Sequence, residues 1–116
     1  MHFTPTYMKH TRGRELDGTE TFSASFNSDA FAIAYAKYYA ISVVATSASS
    51  LDVDIELQAS VDGSTWTDIE DSQDSTLTAD GSVLFLVTDA SYPLVRVKFT
   101  INTGSCKFAV KISGKE

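Results

Sequence analysis

The sequence predicts an all-β domain: an antiparallel β-sandwich, jelly-roll or immunoglobulin-like, of about 7–8 short strands with an extended N-terminal arm. Three observations predict it. First, Leu51, Val53, Ile55, Leu57 and Ala59 alternate with Asp52, Asp54, Glu56, Gln58 and Ser60. A period of two is the mark of a strand with one face buried and the other wet. Second, Val95, Val97, Phe99 and Ile101 alternate with Arg96, Lys98 and Thr100 in the same way. Third, turn signals such as Asp62-Gly63 and Asn102-Thr103-Gly104 punctuate the chain between apolar runs, and no helix of ordinary length is predicted.

The elements follow in order. Residues 1–17 hold Pro5, Gly13 and both histidines with little periodicity, and read as an extended arm ordered only by what it packs against. Residues 18–116 read as one sandwich domain. Thr19 to Phe26 is a first strand, with Phe22 and Phe26 as anchors. Ala30 to Ala36 is ambiguous: its alanines permit a helical turn, while Phe31, Ile33 and Tyr35 alternate as in a strand. Tyr38 to Ala45 is rich in β-formers and reads as a central strand, closed by a turn at Thr46 to Ser50.

Leu51 to Val61 is the amphipathic strand, Asp62-Gly63-Ser64 reverses it, and Thr65 to Ile69 returns. Glu70 to Gly81 is acidic and reads as a long loop, with a short strand around Thr76 to Thr78. Val83 to Thr88 is a continuous apolar strand. Tyr92 is held extended by Pro93 and leads into the strand Leu94 to Asn102. After the turn, Cys106 to Ser113 closes the chain, with Phe108, Val110 and Ile112 inward and Lys107 and Lys111 outward.

Composition narrows the class. The chain has 116 residues, 43% of them hydrophobic, enough for one core. No apolar run approaches the roughly 18 residues that span a bilayer, and no secretory leader is visible. Cys106 is the single cysteine, so an intrachain disulfide is impossible, and synthesis in a reducing cytosol is expected. The net charge is −6, and it is segregated. Every acid except Glu116 lies between Glu15 and Asp89, where Lys37 is the one base. The remaining bases are Lys9, Arg12 and Arg14 before that stretch and Arg96, Lys98, Lys107, Lys111 and Lys115 after it. Such a layout suits complementary strands within one sheet or complementary surfaces between copies. It argues against a nucleic-acid partner, because the bases are few and the body is acidic.

Candidate chemistry is sparse. His2 and His10, the only histidines, sit in the arm, and no nucleophile has an oriented base near it in sequence, so an enzyme is not expected. Asp52, Asp54 and Glu56 share a strand face, and a glycosidase pair could be spaced that way, but a wet face supplies no raised acid. Asp68, Glu70, Asp71 and Asp74 could offer oxygens to a hard cation, yet the ligand and glycine order of a calcium loop is missing. No cofactor or metal is expected. Trp66, Tyr35, Tyr38, Tyr39 and Tyr92 could stack on sugars. Trp66, placed just after a turn, more often plugs the end of the core.

The segment Leu57 to Ile69 carries the pattern S-x-D-G-x-x-W. With Tyr92 to Gly104 and Cys106 to Lys115 it resembles the small β-rich virion proteins of tailed bacteriophages. The resemblance covers the chain from Tyr38 onward, and the turn motif also occurs in carbohydrate-binding sandwiches. It implies a capsid decoration, or cement, protein on the outside of a phage head, made in the host cytoplasm. Its partners would be the major capsid protein and copies of itself, with no membrane. A tail or fibre component, or a carbohydrate-binding module meeting surface glycan, is the alternative. On that reading the arm would order on the shell, with Phe3, Tyr7 and Met8 as apolar anchors and Lys9, Arg12 and Arg14 meeting acidic surface.

Overall fold

The computed structural model describes residues 2–10, 13–32, 38–87 and 93–115. Among the described residues ten strands are present: β1 (His2–Tyr7), β2 (Lys9–His10), β3 (Arg14–Glu15), β4 (Asp17–Phe22), β5 (Phe26–Asn27), β6 (Phe31–Ala32), β7 (Tyr38–Ser60), β8 (Thr67–Asp74), β9 (Gly81–Val87) and β10 (Leu94–Lys115). All pairings are antiparallel, and no helix occurs among the described residues. The expected all-β sandwich is the observed one.

Two strands organise it. β7 has 23 residues and β10 has 22, and they pair along their whole length, from Tyr38↔Lys115 to Ser60↔Leu94. At about 3.3 Å per residue a strand of this length would reach roughly 70 Å. The molecule measures 39 Å along its longest axis. The ladder must therefore fold over, and it does so where its register slips, between Ile101 and Lys107. There Gly104 takes φ +82°, and Ser47 and Ser50 opposite take φ 53° and 49°. Thr46 to Ser50 and Asn102 to Gly104, expected as turns separating strands, are instead creases within two continuous strands. Turn-forming residues serve both purposes, because each needs backbone in the left-handed region.

Folding at the crease makes two layers. In the first, β9 pairs with residues 39–45 of β7, while β1 and β4 pair with the end of β10. In the second, β8 pairs with residues 55–59 of β7, while β5 and β6 pair with the start of β10. The two inner faces close on each other. Ile41, Val43, Phe108, Val110 and Ile112 face inward from the first layer, and Val53, Ile55, Leu57, Val95, Val97 and Phe99 from the second; all are at most 1% exposed. A file of rings crosses the fold: Phe22 stacks on Phe26 at 3.9 Å, Phe26 on Phe99 at 4.6 Å, and Phe99 meets Phe108 at 4.7 Å.

The N-terminal segment is part of this sandwich rather than a free arm. β1 pairs with β10 through Phe3↔Gly114 and Tyr7↔Lys111, and Met8 N donates to Val110 O at 2.8 Å. Val110 N in turn donates to Leu16 O at 2.9 Å. Met8 and Leu16 thus flank one residue of β10, and between them β2 pairs with β3 through Lys9↔Glu15 and His10↔Arg14. Both side chains are 1% exposed. The acidic stretch also differs from expectation: Glu70 to Asp74 belongs to β8, and Thr76 to Thr78 forms no strand. Of the ambiguous segment, Phe31 and Ala32 form β6, and residues 33–37 lie outside the described residues.

Candidate functional site

The Asp62-Gly63 turn prepares an organised polar surface. Ser60 Oγ accepts from Gly63 N at 2.8 Å, and Asp62 Oδ1 accepts from Ser64 N at 2.8 Å and Thr65 N at 3.0 Å. Those backbone donors, Thr65 first, hold the Asp62 carboxyl below the usual carboxylate range. Gly63 supplies φ +80°, which an L side chain seldom adopts. The turn delivers Trp66 to the outer face of the second layer, beside Arg96. The guanidinium carbon of Arg96 lies 4.4 Å from the centre of the indole, a cation–π contact. Trp66 is therefore not the core plug that its position after a turn permits; it is half-buried on the outside.

A row of side chains runs from Arg96 across three strands. Asp68, Gln58 and Arg96 are directly opposite one another in β8, β7 and β10. Arg96 Nε donates to Gln58 Oε1 at 2.8 Å, and Gln58 Nε2 donates to Asp68 Oδ1 at 2.9 Å. Gln58 is 7% exposed, so both ends of its amide are satisfied out of water, which fixes the row. The next row is Gln73, Glu56, Lys98 and Asn27. Beyond it, Asp54 Oδ2 accepts from Asn102 Nδ2 at 3.2 Å. The expected pairing of acidic and basic strands within one sheet is found at Glu56 and Lys98, and Arg96 is matched with an amide instead.

Partial desolvation, and then the nearby Asp68 charge, push the Glu56 carboxyl up from its ordinary value of 4.5, while Lys98 pulls it down. A carboxyl raised on folding disfavours the native state once it ionises. Stability from this group is highest below the unfolded value and falls as pH rises through the folded one. Glu56→Gln is therefore expected to raise the melting temperature slightly near neutral pH, by about 1–3 °C after solvent screening, and to lose that advantage below 4.5. Thermal melts of both proteins at the two pH values check it.

A groove of about 410 Å³ adjoins this face at the end of the second layer. Ala59, Val61, Thr67 and Ile69 line it, with Asp68 and Glu70 beside them. Val61 is 77% exposed there.

The residues expected to meet a shell are distributed otherwise. Met8 is buried in the core and is not available as an anchor. Tyr7 is half-buried with Lys111 Nζ 4.8 Å from its ring centre. Lys9 is exposed, and its carbonyl accepts from Asp29 N at 2.6 Å. Tyr7 and Lys9 share a hollow of about 270 Å³ with Asp29 and Phe31. Arg14 Nη2 lies 3.2 Å from Glu20 Oε1, which also lies 3.2 Å from His10 Nε2, so this cation is paired within the chain. Phe3 enters through its backbone pairing alone, its side chain lying outside the described set, and Arg12 lies outside the described residues.

The groups weighed for other chemistry are dispersed. His10 is 4% exposed, edge-on to Phe22 at 5.0 Å. Cys106 is fully buried with its Sγ 3.2 Å from Thr46 O, and burial raises its thiol, which disfavours the nucleophilic thiolate. Asp74 Oδ1 accepts from Thr76 N at 3.0 Å while Asp68 faces Gln58, so the acidic stretch does not converge. Among the described residues no group of three or more His, Cys, Asp or Glu side chains is placed to hold a metal ion. Gln58 and Arg96 were not foreseeable as site residues: in sequence they are simply the polar members of alternating strands.

Fold and outer face together define an antiparallel β-sandwich module with one preorganised polar surface. No family model matches the chain, and no curated protein matches its sequence. Among solved structures it is similar to a carbohydrate-binding module described as "CBM4 structure and function", with a TM-score of 0.57 and 18% identity. The match covers 78% of this chain and 61% of that one, so the chain spans less than two thirds of its neighbour's length. At this identity the likeness is one of fold.

Proposed function

We propose that the chain is a carbohydrate-binding β-sandwich module whose binding surface is the outer face of its second layer. One observation carries the reading: Trp66 is held on Arg96, the end member of the fixed row Asp68–Gln58–Arg96. A sugar ring presents an apolar C–H face rimmed by hydroxyls. The C–H face packs against an indole, and each hydroxyl removed from water needs a replacement donor or acceptor. Arg96 takes one face of the indole, and the sugar ring takes the other. Asp68, Glu56 and Lys98 supply carboxylate and ammonium partners on the same face. Because Gln58 is already locked, little order has to be imposed on binding. The fold neighbour, itself a carbohydrate-binding module, supports this reading. The description of that neighbour names no capsid or virion role.

Affinity electrophoresis through gels containing soluble polysaccharides, followed by calorimetry on any glycan that retards the protein, tests it. Wild-type chain is expected to be retarded. Trp66→Ala is expected to weaken binding at least about tenfold, which is about 1.4 kcal/mol, while keeping its melting temperature within a few degrees. A wild-type protein that passes unretarded through every glycan would sink the proposal, as would a folded Trp66→Ala that binds like the parent.

A further inference from the structure

Among the described residues the sandwich has four strand edges with no further pairing partner, and three of them are blunted. β8 carries Asp68, Glu70, Asp71 and Asp74, and its register slips beside Asp71, which takes φ 59°. The N-terminal edge of the first layer contains Pro5, a register shift between Phe3 and Thr6, and the β2–β3 pair that interrupts it between Met8 and Leu16. The corresponding edge of the second layer is reduced to β5 and β6, two residues each. Charge, proline, bulges and shortness are the devices that keep sheet edges from pairing with other chains.

β9 has none of them. Its seven residues, GSVLFLV, include no charge and no proline, and they pair with β7 without a register shift from Gly81↔Ala45 to Val87↔Tyr39. Among the described residues β9 pairs only with β7. Its outward side chains are Leu84, 61% exposed, and Leu86, 70% exposed, with Val44 of β7, 38% exposed, beside Leu84 and Ser82.

We infer that two copies of the chain join through β9, antiparallel about a twofold axis at Leu84. An open edge offers a row of backbone N–H and C=O groups, and only another extended strand satisfies them in register. Pairing about Leu84 sets Leu84 against Leu84, Leu86 against Ser82 and Val83 against Phe85, which merges the exposed leucines of both copies into one stripe. Within the joined strands no charged pair is created, although each chain carries −6 and the acidic β8 lies near β9. A twofold contact also consumes both open edges at once and closes, leaving no strand to propagate a fibre. The outer face of the second layer stays free in each copy, so the pair presents two Trp66 surfaces.

Sedimentation velocity across a concentration series tests it, at low and at raised ionic strength. The expected result is a monomer–dimer equilibrium that shifts toward dimer with salt, because salt screens the repulsion between two acidic bodies. Leu84→Lys, which sets like charges opposite each other on the axis, is expected to weaken dimerisation at least about tenfold while the circular dichroism spectrum stays β-type. Leu84→Cys is expected to give a reducible covalent dimer on mild oxidation, since cross-strand Cα atoms lie within disulfide reach. A wild-type chain that stays monomeric at every concentration overturns the inference. A trimer, or a dimer indifferent to Leu84→Lys, overturns it as well.

Discussion

Gly104→Ala is expected to unfold the protein or bring it close to unfolding. Gly104 has φ +82°, and a Cβ added there would overlap the carbonyl oxygens of Ser49 and Ser50. Those oxygens belong to backbone at the crease of β7, so no side chain can swing away to make room. The left-handed region costs an ordinary residue about 1–2 kcal/mol, and forcing the backbones apart adds about 1–3 kcal/mol. Against a typical total of about 5–15 kcal/mol this is a large fraction. The melting temperature is expected to fall by about 10–20 °C. Ser50→Gly is the control: Ser50 opposite has φ 49°, so glycine relieves conformational strain and is expected to leave stability nearly unchanged. Thermal and urea melts of the two variants decide the point. An alanine variant that melts with the parent would mean that the long ladder does not bend at Gly104.

The same crease explains what the sequence could and could not disclose. The alternation at Leu51 to Ala59 and Val95 to Ile101 is local, and it located the inner faces correctly: Leu51, Val53, Ile55, Leu57, Val95, Val97 and Phe99 are all buried. Whether Thr46 to Ser50 ends a strand or bends it is not local. It depends on Asn102 to Gly104 bending at the same level of the partner strand, where Thr103 pairs with Asp52 and Ser105 with Ser49. The Trp66 surface is legible to the same degree. Its indole and the turn that places it stand out in the chain. The row that ends at Arg96 depends on β8 pairing Asp68 with Gln58 and then slipping before Gln73 meets Glu56. No short-range pattern encodes that slip. The missed pattern at the N-terminus has a similar origin: Met8 and Leu16 are neighbours across Val110, but seven residues lie between them in sequence, β2 and β3 included, which breaks the periodicity that would have joined them.

Deleting residues 1–14 is the second change with a large expected effect, and it separates two roles for the N-terminus. If this segment were an arm held in reserve for a partner, its loss would leave the isolated domain as stable as before. The structure gives it work inside the fold. β1 pairs with the last residues of β10. Met8, 1% exposed, fills the core beside Val110, and His10 closes over Phe22 and Phe26 at 5.0 and 6.1 Å. Removing a buried methionine side chain alone costs about 2–5 kcal/mol, and the deletion also strips a strand from β10 and uncovers the rings at the crease. The truncated chain is expected to melt at least about 15 °C lower than the parent or to be recovered insoluble. Met8→Ala, which spares the strand, is expected to lie between the two. A truncated chain that melts like the full one would return residues 1–14 to the status of a free arm, because a strand whose removal costs nothing cannot be part of what holds the two layers together.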